Sequence, residues 1–473
     1  MRKHCITSVI VLMSAACCAA ASGDESPSTR TVTGTRIGHY KNGAMPVDLS
    51  AMPIAAYVAN GSSYTVITGT GTSSGTFTIA NVPTGFYLLQ FGGNYLWTSN
   101  SVVDADFIFD FRSNTVQADF STTFLTFDLT NLNSWQSTDF FEMVCPNNLS
   151  FNFFSGTVGE TTFIGTFNYF GNLSDASQGD QYYISQLVTQ SVGGFPFTAL
   201  GRFTAPPKFT QAQSSDTSIN GALVTIPQTH SFEANVNGAD LQALALAANP
   251  SATLFSSGFG LDVYPGSFAH GQETDTPDLI IYNGIPTINT NGDLGPVVYG
   301  NPYPSSKWPL YIFYSYDATT NYTAPGATNS TPIFTFAYGE TTNLPTITSP
   351  IAPLVGVAQT PTINGKNFFA NQNGVGLTPV LRWSPPTVGT ATYYLVTVYQ
   401  LSNSGGNTVA TAVASLSTQR AGLRIPTGLL TGGQAYVFEV TAYYIPSLNF
   451  ARTPYLLGSI TGRADVISGM MQP

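Results

Sequence analysis

One short acidic stretch of the chain could bind a cation. Glu273, Asp275 and Asp278 lie close together in a sequence of which only 8% is charged. Carboxylate oxygens are the ligands that Ca²⁺ prefers, so these three residues are the candidate metal ligands. Their spacing matches no standard calcium-binding loop, and a solvated turn is the alternative interpretation. Ca²⁺ is the only cofactor that the sequence suggests.

Three aromatic residues lie on a loop that could bind a sugar. Tyr299, Tyr303 and Trp308 belong to a stretch that also contains three prolines, which stiffen it. Aromatic rings stack on the apolar faces of sugar rings, so these residues are the candidate ligand-binding residues. The alternative is that the rings pack beneath the loop as part of a core.

The remaining motifs do not predict a catalytic centre. Residues 71–75 match Gly-x-Ser-x-Gly, but a nucleophile elbow requires a helix after the serine, and 76–79 has the pattern of a strand. His39, His230 and His270 follow the N-terminal leader with no two at metal-ligand spacing. The prediction is a protein without catalytic residues. A glycosidase-type acid pair in the middle of the chain is the alternative, because sequence does not report the distance between carboxylates.

The clearest structural pattern lies near the C-terminus. Leu381 and Trp383 alternate with polar residues before two prolines, and residues 393–401 are aromatic and β-branched. Leu430 precedes Tyr436 as in a tyrosine corner, where the ring packs and its hydroxyl bonds back to the turn.

This run resembles the fibronectin type III domain over about residues 346–446. The resemblance implies a β-sandwich that acts as a spacer or binding module, and it carries over no functional residue. The last predicted region is therefore a fibronectin type III-like sandwich with a C-terminal tail, residues 346–473.

The first predicted module covers residues 31–100. Its segment 75–91 reads Gly-x-Phe-x-Ile, then Val-Pro-x-Gly-x-Tyr, which predicts a strand, a turn and a returning strand. This pattern resembles the carboxypeptidase regulatory-like, prealbumin-type sandwich. The resemblance implies a non-catalytic module of exported bacterial proteins.

The middle region, residues 101–345, has apolar strand patterns between Asn, Gly, Ser and Asp turns. One large sandwich or jelly roll fits this length, and two smaller domains that meet near residues 206–207 are the alternative. The only helix-forming composition after the leader lies at 240–248. The predicted fold class is all-β and multidomain, with antiparallel β-sandwiches in tandem.

The N-terminus predicts export. A basic start is followed by an apolar run at 6–16 that is too short to span a bilayer. We expect a signal peptide at 1–21 and a polar tether at 22–30. The mature chain is then predicted to have no membrane span and to be secreted or held at the cell surface.

The cysteines leave two modes of anchoring open. Cleavage before Cys17 or Cys18 would leave a lipid-bearing cysteine at the new N-terminus, as in an outer-membrane lipoprotein, and simple export is the other alternative. Cys145 follows an apolar run, which is typical of a buried small residue. The sequence predicts no disulfide framework.

The charge composition limits the classes of partner that the protein could bind. The formal net charge of −10 and the lack of a basic run argue against nucleic acid. The sequence therefore predicts a non-catalytic modular protein that binds an extracellular polysaccharide or another envelope component. A secreted hydrolase and a purely structural spacer are the alternatives.

Overall fold

A computed structural model describes residues 28–109, 111–192, 195–233, 235–265, 277–282, 291–303, 309–342, 350–456 and 462–473. The predicted signal peptide, with Cys17 and Cys18, and all of the predicted tether before residue 28 lie outside these residues. Strands make up 54% and helices 3% of the structure, and several sheets are antiparallel. The predicted all-β class is therefore confirmed. Within the described residues, no helix is both long enough and apolar enough to cross a lipid bilayer.

The first region of the chain is built from short strands. They are β1 (Thr29–Thr35), β2 (Ile37–Tyr40), β3 (Gly43–Pro46), β4 (Ile54–Asn60), β5 (Ser63–Thr68), β6 (Thr70–Gly71), β7 (Thr76–Pro83), β8 (Tyr87–Phe91), β9 (Asn94–Thr98), β10 (Val102–Asp104) and β11 (Phe107–Ile108).

Two sheets of this region face each other. One has the order β10-β1-β7-β6, and the other joins β5, β4, β8 and β9 through antiparallel pairs. Alternate residues of β7, such as Phe77 and Ile79, are buried against Ile54 and Leu89 of the second sheet. The period-two pattern of the sequence therefore gives one sandwich core. Gly34 permits the close approach of β1 to β10, since a Cβ there would lie 2.0 Å from the carbonyl oxygen of Val103.

The middle region contains longer strands and the α-helix. Its elements are β12 (Phe124–Thr130), β13 (Phe140–Cys145), β14 (Ser150–Phe154), β15 (Phe163–Asn168), a 3₁₀ turn (Ala176–Gln178), β16 (Tyr183–Val192), β17 (Phe195–Thr204), β18 (Asp216–Ala222), β19 (Val224–Thr225), β20 (His230–Phe232), β21 (Asn235–Asn237), α1 (Gly238–Leu246), β22 (Thr253–Pro265), β23 (Ile280–Tyr282), β24 (Asn291–Asp293), β25 (Val297–Tyr299), β26 (Leu310–Tyr322) and β27 (Thr331–Thr341).

An aromatic cluster forms the core of the first part of this region. Trp135 is 2% exposed and packs with Phe141 and Phe163, and Cys145 is fully buried in the same cluster. Burial raises the pKa of the Cys145 thiol to about 12, so it remains a neutral thiol at ordinary pH. The prediction that Cys145 is a small buried residue is confirmed.

The last region completes the chain with a second set of paired strands. They are β28 (Gln359–Ile363), β29 (Lys366–Asn367), β30 (Gln372–Asn373), β31 (Val380–Ser384), β32 (Tyr393–Ser404), β33 (Asn407–Thr418), β34 (Gly422–Arg424), β35 (Ala435–Tyr444), β36 (Gly462–Ile467) and β37 (Met471–Gln472).

The last region packs a small sheet against a larger one. The small sheet has the order β29-β28-β31-β34, and in the larger sheet β32 lies between β33 and β35. Leu381 and Trp383 are buried between them, as their alternation predicted. The hydroxyl of Tyr436 accepts a hydrogen bond from the backbone N–H of Thr431 at 2.9 Å. This is the contact predicted for a tyrosine corner.

Replacing Tyr436 with Phe should destabilise the protein by about 1 to 2 kcal/mol. The ring would stay in the core, but the N–H of Thr431 would lose its acceptor. Chemical denaturation of the two proteins measures the difference. Tyr40→Phe, on β2, is the control, because no hydrogen bond of the Tyr40 hydroxyl occurs among the described residues. An equal loss in both variants would contradict the role given to the Tyr436 hydroxyl.

The three regions share sheets and cores. β27 pairs with β36, and β9 pairs in parallel with β33, so nineteen of the described strands form one continuous hydrogen-bonded sheet. Leu88 and Tyr95 of the first region belong to the same core cluster as Trp383. The first and last regions therefore meet at a buried interface, and a surface pocket lies beside this interface.

Candidate functional site

The structure places the predicted sugar-binding tyrosines in the interior. Tyr299 is 1% exposed and Tyr303 is 5% exposed. The Tyr303 ring packs edge-on against Tyr183 and Phe203, with centroids 5.4 and 5.5 Å away. These two rings pack beneath the loop as part of a core, which was the alternative to sugar binding. A ring in the core offers no free face to a sugar. Trp308, the third predicted residue, lies outside the described residues.

The predicted calcium ligands are only partly described. Glu273 and Asp275 lie outside the described residues, and Asp278 lies beside Glu142 of β13. The backbone N–H of Asp278 donates to both carboxylate oxygens of Glu142, at 3.0 and 3.2 Å. In the part of the chain that the structure describes, no group of three or more His, Cys, Asp and Glu side chains is arranged to hold a metal ion.

Glu142 brings members of both predicted clusters together. Burial raises its pKa to about 8, and the nearby charge of Asp262 adds to the rise. Burial also raises the pKa of Tyr303, and the Glu142 charge contributes. Glu142 is not among the residues predicted from the sequence, although an acid within the apolar run 140–145 is the signal of a buried carboxyl. At 1% exposure, Glu142 is part of the core and does not face a polysaccharide chain.

A surface pocket lies where the first and last regions meet. It has a volume of about 390 Å³, within the usual range for small-molecule sites. We call it the arginine pocket and define it by its polar and aromatic lining: Tyr64 and Trp97 from the first region, and Arg382, Arg420 and Arg424 from the last.

The strands fix the positions of the three arginines. Arg382 lies on β31 and Arg424 on β34, and these strands pair with Arg382 opposite Gly422 and Val380 opposite Arg424. Arg420 lies just beyond the end of β33. Gly422 has a positive φ of +153° and lies close to β31. A Cβ at this position would lie 2.6 Å from the Leu381 carbonyl oxygen, so only glycine fits without a shift.

The first region holds Arg424 in place. An Nη1–H group of Arg424 donates to the carbonyl oxygen of Ser62 at 3.0 Å, and the Tyr64 hydroxyl donates to the carbonyl oxygen of Arg424 at 3.0 Å. Burial raises the pKa of Tyr64 to about 12, with the Arg424 charge acting in the opposite direction. The hydroxyl is therefore a donor at ordinary pH, and the joint between the regions sets the shape of the pocket.

Aromatic rings position Arg420. Its guanidinium carbon lies 4.2 Å from the ring centroid of Phe86 and 5.1 Å from that of Trp97. The two rings are nearly parallel, at 9°, with centroids 6.0 Å apart. Stacking on a ring face restrains a guanidinium while its N–H edge stays available to a ligand. Phe86 is 49% exposed, so this aromatic and cationic surface reaches solvent.

The pocket is locally cationic. Arg382 and Arg420 are exposed, and among the described residues nothing forms a hydrogen bond or ion pair with either guanidinium. None of the described residues that line the pocket is acidic. The pocket can therefore donate several charge-assisted hydrogen bonds, beside the partly buried rings of Trp97 and Tyr64.

A second groove, of about 490 Å³, lies between β27 and the β32–β33 hairpin. It is lined by Phe334, Phe336 and Tyr399, among others. The Tyr399 hydroxyl donates to Glu439 below the groove at 3.1 Å. Glu439 is 2% exposed, and burial together with the charge of Asp465 raises its pKa to about 8.

Arg463 partly neutralises this buried acidic cluster. Its Nη2 lies 2.8 Å from Oδ2 of Asp465 and 3.4 Å from Oε1 of Glu439. The guanidinium also lies over the Phe336 ring, 4.8 Å from its centroid. These charged groups pair with one another in the interior. We therefore interpret the cluster as a structural contact that holds β27 against the last region.

The arginine pocket could not be predicted from local sequence patterns, because its parts are far apart in the chain. Tyr64 and Trp97 lie in the first module, whereas the arginines lie in the last. A usable local signal was the segment 420–424, which has two arginines in a chain with 15 Lys and Arg residues. No model of a known protein family matches the sequence. No curated protein is significantly similar to it.

Proposed function

We propose that this protein is a non-catalytic binding protein that holds a carbohydrate in the arginine pocket. The observation that carries the proposal is the placement of Arg382 and Arg420 beside Trp97 and Tyr64 in one open cavity. Sugar-binding sites combine an aromatic face, which packs on the apolar face of the sugar, with donors that bond its oxygens. The pocket supplies both on strands and strand ends.

The proposal keeps the ligand class that the sequence predicted but moves the binding site. The loop with Tyr299 and Tyr303 is replaced by a pocket that needs both ends of the chain. An extracellular polysaccharide or envelope component remains the proposed partner. The export signal predicted at 1–21 supports a secreted or surface location, with a lipid anchor at Cys17 or Cys18 as the alternative.

Replacing Arg382 and Arg420 with Ala should weaken polysaccharide binding at least about tenfold. Each removes charge-assisted hydrogen bonds, which contribute about 1.5 to 3 kcal/mol. Both side chains are exposed, so we expect the variants to fold. The measurement is isothermal titration of the purified chain against a panel of neutral and acidic polysaccharides. Arg452→Ala is the matched control, because Arg452 is also exposed but lies outside the pocket.

The same panel separates the other predicted functions. Release of reducing ends would support the hydrolase alternative and contradict the non-catalytic proposal. Binding by neither the native chain nor the control would favour the structural spacer. Binding that persists in both alanine variants would place the ligand elsewhere on the protein and overturn the role given to the arginine pocket.

A further inference from the structure

We infer that the ligand of the arginine pocket is an acidic saccharide, a sugar that carries carboxylate or sulfate groups. The inference rests on the proposed function, since it names the class of carbohydrate that the pocket would select. The first observation is the distribution of charge. The chain has a formal net charge of −10, yet three of its 15 Lys and Arg residues line this one cavity. A local positive potential on an otherwise acidic protein is suited to binding an anion.

The donors of the pocket fit an anionic group better than a neutral hydroxyl. The guanidinium groups of Arg382 and Arg420 have no hydrogen-bond partner among the described residues. A guanidinium presents its N–H groups as a planar fork that matches the two oxygens of a carboxylate or sulfate. Charge-assisted bonds of this kind are about twice as strong as neutral ones. A neutral sugar would leave the positive charges of the pocket uncompensated.

Arg420 is held in place before a ligand binds. An exposed arginine ordinarily loses rotamer freedom when it binds a ligand. Here the rings of Phe86 and Trp97 already lie within 4.2 and 5.1 Å of the guanidinium carbon. Arg424 is likewise held by the Ser62 carbonyl. Two of the three arginines are therefore held in place before an anion arrives, and less of the interaction energy is lost in ordering them.

The aromatic lining argues for a saccharide over a free inorganic anion. Trp97 and Tyr64, which are both only partly buried, form part of the wall. Inorganic sulfate would contact the guanidinium groups and leave this apolar surface wet. A sugar ring that carries the anionic group can cover the apolar surface while its substituent reaches the arginines. Both parts of the pocket are then used by one ligand.

Matched pairs of polysaccharides test the inference. Polygalacturonate and its methyl ester share one backbone but differ in free carboxylate, and dextran sulfate and dextran differ in sulfate. We expect the native chain to bind the anionic member of at least one pair at least tenfold more tightly. The pair that shows the difference identifies the group as carboxylate or sulfate. Raising the salt from 0.05 to about 0.5 M should reduce that preference, because ions screen exposed charges.

A double variant, Arg382→Gln with Arg420→Gln, supplies the second readout. Glutamine keeps N–H donors but removes the charge, so affinity for the anionic member should fall by more than affinity for the neutral member, and the preference should collapse. Equal affinity of the native chain for both members would overturn the inference and leave the proposed function standing. Binding to no polysaccharide would overturn the proposed function itself. Inorganic sulfate that binds as tightly as dextran sulfate, per sulfate group, would also overturn the inference.

Discussion

Lowering the pH from 8 to 5 should raise the melting temperature of this protein. Burial raises the pKa of both Glu142 and Glu439 from an ordinary value of 4.5 to about 8. Burial also raises the pKa of Asp317 from 3.8 to about 6. The folded protein therefore binds protons more tightly than the unfolded chain. This stabilisation is fully present below the unfolded values and is lost as the pH rises through the folded ones.

The size of the effect follows from the same shifts. Each unit of pKa difference corresponds to about 1.4 kcal/mol, so three buried carboxyls together give a change on the order of several kcal/mol. Asp48, Asp119 and Asp175 have lowered pKa values because nearby serines donate to their carboxylates. They act below pH 4 and do not oppose the trend between pH 5 and 8.

Thermal unfolding at pH 5, 6.5 and 8, in buffers of equal ionic strength, measures this dependence. Glu439→Gln and Glu142→Gln should each flatten the curve, because an amide resembles the protonated acid but does not titrate. Glu160→Gln, an exposed glutamate, is the control that should leave the slope unchanged. A melting temperature that rises between pH 5 and pH 8 would show that these carboxyls are ionised in the folded protein.

Replacing Arg463 with Met should destabilise the protein by about 3 to 5 kcal/mol. The Asp465 side chain is 0% exposed and that of Glu439 is 3% exposed, and in the variant the Asp465 carboxylate loses its cation. Removal of one partner of a buried ion pair leaves an uncompensated charge, and this is the usual cost. Oδ2 of Asp465 also accepts a hydrogen bond from the N–H of Phe336 at 2.8 Å. A displaced Asp465 would therefore also weaken the contact with β27.

Urea denaturation of Arg463→Met and of Arg382→Met distinguishes the loss of a buried ion pair from the loss of one positive charge. Both variants lose one arginine, but Arg382 is exposed, and its replacement should change the free energy of unfolding by less than about 0.5 kcal/mol. The double variant Arg463→Met with Asp465→Leu should recover part of the loss, since it removes the stranded charge. Equal effects of the two single variants would mean that the Arg463 cluster contributes no more than a surface arginine.

The sequence predicted those parts of the fold that depend on local patterns. Leu381 and Trp383 alternate with polar residues, and this alternation alone places them in a core. Tyr436 lies a fixed distance after a turn, so its hydrogen bond to Thr431 could be expected. The helix Gly238–Leu246 was predicted two residues late, from its Leu and Ala content.

The joints between regions could not be predicted in this way. β9 and β33 pair although they lie more than three hundred residues apart. The local sequence of residues 94–98 does not indicate which strand will pair with β9. The arginine pocket depends on that pairing, because it brings Trp97 to Arg420. The burial of Tyr299 and Tyr303 depends in turn on β16, β17 and β20, whose approach no local pattern encodes. The identity of the two modules as fibronectin type III-like and prealbumin-type stays a prediction.

The parallel pair of β9 and β33 has a consequence for how the protein is made. A ribosome completes β9 long before β33 exists, so the edge of the first module waits without its neighbour during most of synthesis. Contacts this distant in sequence form slowly, and an unpaired edge can add a strand from another nascent chain. Translation speed and chaperone supply should therefore govern the yield of native protein more strongly than in a chain of independent modules.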